Sequence, residues 1–219
     1  MYLKEAILKD PNIIQDEENV KELALDLIPY STGFEIECLV SETAPFQNLE
    51  LMDYSYSSDG EIRFRIQNGL KGFLQLKQIS DTLLEYGNLN PNSGIHYHID
   101  FTDKWDVDLI RRTIPSCSSW ILEELDTWEY KGTYNSREIS INNYSTWVKF
   151  NNLHTMEFRL GNMTFDYDIL ATRIIHCNDI ARRFKKAMSL MSCLPDGRYE
   201  SLNINNILKN RVRHVGFAL

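Results

Sequence analysis

Four short stretches of this chain alternate apolar and charged residues with a period of two, and that pattern constrains the fold more than any other feature. In 34-FEIEC-38, Phe34, Ile36 and Cys38 share one side of a strand, while Glu35 and Glu37 share the other. The stretch 61-EIRFRI-66 sets Ile62, Phe64 and Ile66 against Glu61, Arg63 and Arg65. In 95-IHYHID-100, Ile95, Tyr97 and Ile99 alternate with His96, His98 and Asp100, and 156-MEFRL-160 opposes Met156, Phe158 and Leu160 to Glu157 and Arg159. Each is the signature of a strand with one face in the core and one face outward.

Helical spacing fills the intervals. Asp16 can cap a helix running to Pro29, with Val20, Leu23, Ala24, Leu27 and Ile28 on one face. A second helix covers 71–86 and stops at Gly87. The region 105–128 reads as two helices broken at Pro115, with Ser116 capping the second. From Asp166 onward, Ile169, Leu170, Ile174, Cys177, Ile180, Ala181, Phe184 and Met188 form a long apolar stripe, opposite a solvated face of Arg182, Arg183, Lys185 and Lys186. Pro195-Asp196-Gly197 ends that helix with a turn, and a short helix is expected over 201–211. Helices interleaved with antiparallel-looking strands predict an α+β layer fold. The 219 residues make one domain, with an N-terminal helical extension over 1–30 and a C-terminal helical segment over 166–219.

A formal net charge of -8 removes the dense basic surface that duplex binding needs, so nucleic acid is not an expected partner. No run approaches the roughly 20 apolar residues of a membrane span, and the start of the chain lacks the apolar centre of a signal peptide. Cys38, Cys117, Cys177 and Cys193 are scattered without a Cys-x-x-Cys pair, which predicts buried reduced thiols and a cytoplasmic setting.

An ordinary solvent-facing strand accounts for any one of the four stretches. Their recurrence is the informative part, because exposed strand faces are usually filled with Thr, Lys, Gln and Ser rather than Glu, His and Arg. Paired carboxylates on one face also repel unless a cation neutralises them. Carboxylates with imidazoles suit Mg²⁺ or Mn²⁺, and arginines hold phosphate through a planar, permanently charged fork. The shared face therefore reads as a site for a magnesium nucleotide. With no Walker loop and no Gly-x-Gly-x-x-Gly, the nucleotide must be held by side chains and metal.

The ordered set Gly33-Phe34-Glu35-Ile36-Glu37, Asp53-Tyr54-Ser55 with Glu61, Ser93-Gly94-Ile95-His96-Tyr97-His98-Ile99-Asp100, and Thr155-Met156-Glu157-Phe158-Arg159 resembles the amidoligase family of glutamine-synthetase-like carboxylate-amine ligases. The likeness spans about 33–184. It implies a curved antiparallel sheet with metals on its concave face and helices packed on the other. By the same resemblance Glu35, Glu37, Glu61, His96 and Glu157 are metal ligands, and His96, His98 and Arg159 contact the ATP; Arg63, on the same charged face, is a further candidate for that contact. Arg159, Glu157, Asp53 and, in 134-YNSR-137, Arg137 complete the catalytic group. Arg63 and Arg65 follow Glu61 where the family usually continues to Ser-Pro.

The implied reaction uses ATP with Mg²⁺ or Mn²⁺. Two ions clamp the phosphates, a substrate carboxylate takes the γ-phosphoryl group, and an amine displaces phosphate to form an amide or isopeptide bond. The carboxylate and amine are open among small molecules, peptides and proteins, and sites shared between copies of the chain are compatible with the resemblance. Two other readings stand beside it: a metal-dependent hydrolase on the same Glu/His face, and a non-catalytic nucleotide- or protein-binding domain of phage or defence type. Among the remaining residues, His154, His176 and His214 are expected to be structural or incidental, and Trp105, Trp120, Trp128 and Trp147 to be core. Asn142, Asn143 and Asn151 are expected in turns.

Overall fold

The alternating stretches become four adjacent strands at the centre of one sheet. The computed structural model describes residues 7, 18–49, 51, 53–56, 61–89, 93–128 and 135–193, with backbone alone at 53, 54 and 56. Within these residues the strands are β1 (Thr32–Glu37), β2 (Leu39–Val40), β3 (Asp53–Tyr56), β4 (Glu61–Ile66), β5 (Gly87–Asn88), β6 (Gly94–Ile99), β7 (Ser136–Ile141), β8 (Thr146–Phe150) and β9 (Met156–Asn162). The helices are α1 (Glu18–Leu27), α2 (Ala44–Gln47), α3 (Gly69–Tyr86), α4 (Val107–Leu125) and α5 (Tyr167–Ser192). Seven strands pair in the order β3-β4-β1-β6-β9-β8-β7, and β2 pairs with β5 apart from them. The α+β expectation is met.

Each alternation resolves as read. Phe34, Ile36, Ile62, Phe64, Ile66, Ile95, Tyr97, Ile99, Met156, Phe158 and Leu160 are buried on the helical side. There α3 packs on β4, α5 lies against β6, and α4 packs on α5. Edge-to-face rings knit the layers together: Phe34 with Tyr97 at 5.7 Å, Tyr97 with Trp128 at 6.0 Å, and Phe101 with Phe184 at 6.0 Å between centroids. Buried Asn178 of α5 accepts from the Tyr30 backbone N–H (3.1 Å) and donates to Thr32 Oγ1 (3.2 Å), which pins the start of β1 to the helix layer.

Three expectations need correction. The sheet is mixed rather than wholly antiparallel, because β7 runs parallel to β8. Asn142 adopts left-handed backbone (φ 60), and residues 142–145 double back until Thr146 stands beside Ser136. Second, α4 is continuous through Pro115. Pro115 and Arg111 are both exposed, so water can satisfy the carbonyl that the proline leaves unpaired, while Ile110, Thr113, Cys117, Trp120 and Ile121 hold the buried face together. Third, Arg183 is not on a solvated face. It bonds Glu124 (Nη1–Oε1, 2.6 Å) and lies 4.4 Å above the Trp120 ring.

His176 proves to be a working member of that helix interface as well. Its Nδ1 accepts from the Trp128 indole N–H at 2.8 Å, and its Nε2 stands 3.2 Å from Glu124 Oε2. Burial alone would raise the Glu124 carboxyl, but His176 and Arg183 outweigh it and hold the group down at about 2. A depressed carboxyl stabilises the fold above its unfolded value near 4.5, and that contribution is lost as the pH falls toward 2. Glu124→Gln is accordingly expected to lose about 2 kcal/mol at pH 7 and to converge on wild type near pH 2. Urea unfolding of both proteins across that range checks it.

The helix ends agree in part with the sequence. Asp166 caps α5, accepting from the Ile169 N–H at 3.2 Å. Gly87 ends α3 with extended rather than left-handed backbone. It is needed for close approach, since a Cβ there would stand 2.6 Å from both Leu83 O and Phe165 Cζ. Trp120, Trp128 and Trp147 are buried, as are Cys38, Cys117 and Cys177, whereas Cys193 is exposed; all four thiols are free. The Asp16 cap, the Pro195-Asp196-Gly197 turn, the 201–211 helix and His214 lie outside the described residues. No helix among the described residues is long and apolar enough to cross a membrane.

Candidate metal centre on the charged sheet face

Strand order turns four separate alternations into one row of charge. Glu35 of β1 stands opposite Arg63 of β4 and His96 of β6, and His98 of β6 stands opposite Glu157 of β9. Gly33, next to Glu35 on the same face, stands opposite His98. A Cβ at Gly33 would meet His98 Cβ at 3.3 Å, so glycine lets the imidazole lie close over β1. In β9, Phe158 to Gly161 spans one residue more than Tyr97 to Ile95 across from it, so Arg159 and Leu160 together oppose His96. That bulge brings Arg159 over Glu157, to which Nη1 donates.

The ligand atoms of Glu35, His96 and Glu157 lie within 4.8 Å of one another. His96 Nδ1 is 3.2 Å from Glu35 Oε2 and 3.8 Å from Glu157 Oε1. His98 Nε2 is 3.5 Å from Glu35 Oε1 and 3.9 Å from Glu157 Oε1. Two donors each about 2.1 Å from a shared ion stand roughly 3.0 Å apart at right angles and roughly 3.4 Å apart in a tetrahedron. The shortest separations match that spacing and the others are a few tenths of an ångström wider, so Glu35, His96 and Glu157 could hold one ion with small side-chain shifts. His98 supplies an independent sign, for its Nε2 is buried, lacks a hydrogen-bond partner, and points between the two carboxylates. Two imidazoles with two carboxylates suit Mn²⁺ or Zn²⁺ as well as Mg²⁺.

A second layer fixes these donors. Asn151, in the turn after β8, accepts at Oδ1 from the N–H groups of Leu153 (3.0 Å) and Thr155 (3.2 Å) and from the Thr155 hydroxyl (3.0 Å). Its Nδ2 then faces Glu157 Oε2 at 3.0 Å and His98 Nδ1 at 3.2 Å. Thr155 Oγ1 is also 3.2 Å from His98 Nδ1. The turn is closed by His154 in the left-handed region (φ 62), stacked on Trp105 at 5.3 Å. Asn151 thus serves the turn, as expected, and the site too.

Electrostatics follow the geometry. Burial pushes Glu35 up, yet polar contact with His96 and His98 and their charge outweigh it and hold the carboxyl well below its usual range. Glu157 is likewise raised by burial and more strongly lowered by His98, Lys149, Asn151 and Arg159. Glu61 goes the other way: burial and the neighbouring charge of Glu35 raise it against the pull of Arg63.

Lys149 is the residue that sequence reading missed. It is buried on β8 directly across from Glu157, with Nζ 2.8 Å from Oε2. The stretch TWVKF is buried at every position, so its single lysine is held away from water. The available signal was that Trp147, Lys149 and Asn151 alternate with Val148 and Phe150, a fifth strand in the same pattern.

Not every expected residue joins the cluster. Arg63 does, 3.0 Å from Glu61 Oε2 and 3.6 Å from Glu35 Oε1. Glu37 is exposed at the end of β1, opposite Glu61, its Oε2 so near Gly94 that a Cβ there would be 2.8 Å away. Arg137 sits on outer strand β7, where Asp126 holds its guanidinium (Nε, 2.9 Å), so the arginines gathered at the centre are Arg159 and Arg63. Asp53 lies on outer strand β3 across from Arg65, and its side chain is outside the described residues. Asp100 pairs with Arg65 at 3.1 Å at the end of β6. Neither protein-family models nor curated proteins give any match to this chain.

Proposed function

We propose that the chain is a divalent-metal-dependent enzyme of the ATP-using carboxylate-amine ligase type, working on the charged face of the sheet. The observation that carries this reading is the Glu35, His96 and Glu157 group, which could hold one ion, with His98 beside it and Arg159 and Arg63 flanking it. The order of the motifs along the chain supports the ligase assignment, as does a sheet whose helices, among the described residues, pack on the face away from the charge, the arrangement the resemblance implies.

When bound, the ion supplies Lewis-acid neutralisation of phosphate oxygens. Glu35 and Glu157 would hold it by charge, and His96 and His98 would offer their ring nitrogens. Arg159 and Arg63 remain to offset charge on a phosphoryl group in transfer. A substrate carboxylate takes the γ-phosphoryl group of ATP, releasing ADP. An amine then attacks the acyl phosphate, loses a proton and releases inorganic phosphate as the amide forms. Phosphoryl transfer asks mainly for positioning and fixed charge, and a rigid sheet face provides both.

A second reading, hydrolysis by a metal-activated water, draws on the two adjacent imidazoles, a donor pair common in such centres. Calorimetry of ATP binding with and without Mn²⁺ or Mg²⁺ separates the two. The ligase reading expects at least about 10-fold tighter ATP binding with metal, the scale of an interaction worth about 1.4 kcal/mol. Metal binding without any ATP binding would favour hydrolysis. If neither binds, the charged row is a structural ionic network.

A further inference from the structure

Glu157 has fewer free valences than a bridging ligand requires. A carboxylate oxygen offers two lone-pair positions. Oε2 spends both on buried donors, Lys149 Nζ at 2.8 Å and Asn151 Nδ2 at 3.0 Å. Oε1 takes one bond from Arg159 and faces His96 and His98 with the other. The Lys149 side chain is only 5% exposed. Behind the ammonium lies the ring of Tyr144, 4.1 Å from Nζ, on the 142–145 link. The cation is thus clamped between an aromatic face and a carboxylate.

In a two-ion centre a shared carboxylate gives one oxygen to each of two ions about 3.5–4 Å apart. We propose that Lys149 is the built-in second cation of this site: its ammonium occupies the outer oxygen of Glu157, so the centre takes a single divalent ion on the Oε1 side. This rests on the one-ion centre proposed above and gives the reason why the second ion of the reaction implied by the resemblance has no place in it. The ammonium and Arg159 then supply, as fixed protein charge, what a second ion supplies elsewhere, and the open side of the ion is left for an anionic substrate group.

Mn²⁺ titration of the full chain, followed by calorimetry and by low-temperature electron paramagnetic resonance, tests the proposal. Wild type is expected to bind one Mn²⁺ per chain with the hyperfine pattern of an isolated ion. Lys149→Met, shown folded by circular dichroism, should take up a second equivalent and display a spin-coupled pair. Lys149→Arg should stay at one. Two equivalents or a coupled pair in wild type would overturn the proposal, and so would a folded Lys149→Met protein that remains at one. Should Lys149→Met fail to fold, wild type and Lys149→Arg still decide, because a coupled pair in either rules the proposal out. Absence of any Mn²⁺ binding by wild type would instead bring down the metal-centre reading on which the proposal stands.

Discussion

Replacing Glu157 with glutamine is expected to abolish tight Mn²⁺ binding and to lower the rate of any metal-dependent turnover by about 10²–10³-fold, the usual loss when one preorganised charge is removed from a reacting centre. Glu157 is 1% exposed, and its two oxygens serve Arg159 on one side and Lys149 with Asn151 on the other. A neutral amide of the same shape leaves those two cations facing a group that can accept on only one side. Breaking a buried ion pair by removing one partner costs about 3–5 kcal/mol, so the metal-free variant should also unfold at markedly lower urea concentration. Urea titration and metal calorimetry read the two losses separately. A Glu157→Gln protein as stable as wild type, with unchanged Mn²⁺ affinity, would remove Glu157 from the centre.

Asn151→Ala should produce the second largest effect, although Asn151 itself is not among the candidate ligands. It removes three acceptances that close the 151–155 turn, one donation to Glu157 and a polar contact with His98. Outer-shell partners of this kind change metal affinity by about 10–100-fold when lost. Leaving buried Glu157 Oε2 short of one of its two donors adds about 1–3 kcal/mol of instability. Leu153→Ala is the matched control in the same turn. Leu153 is 71% exposed, so the change should leave both quantities near wild type. Equal behaviour of the two variants in Mn²⁺ calorimetry would show that the turn does not govern the site.

The charged face was legible because a strand has a side-chain period of two. Any residue that alternates with Phe34, Ile36 or Phe158 must point away from the core those residues enter. Helix existence was legible for a similar reason, from the apolar stripe of 167–192 and the Asp166 cap. Pro115 misled because its steric rule is local, while the continuity of α4 is decided by what its other face buries. Arg183 and His176 misled, and Lys149 was missed, for one shared reason. A lone polar residue in a helix or strand carries no sequence mark of the partner that buries it, and Glu124, Trp128 and Glu157 lie between 8 and 59 positions away in the chain.

By itself the sequence determined which residues share a face, since that follows from backbone geometry within a single element. Tertiary structure alone decided which strands became neighbours, and with that which charges meet. The order β4-β1-β6-β9-β8 places Glu35 beside His96, His98 across from Glu157, and Lys149 against the outer oxygen of the same carboxylate. It sends Arg137 to an outer strand and to Asp126. Strand pairing is set by long-range packing of the apolar faces against α3 and α5, and no local spacing along the chain encodes it.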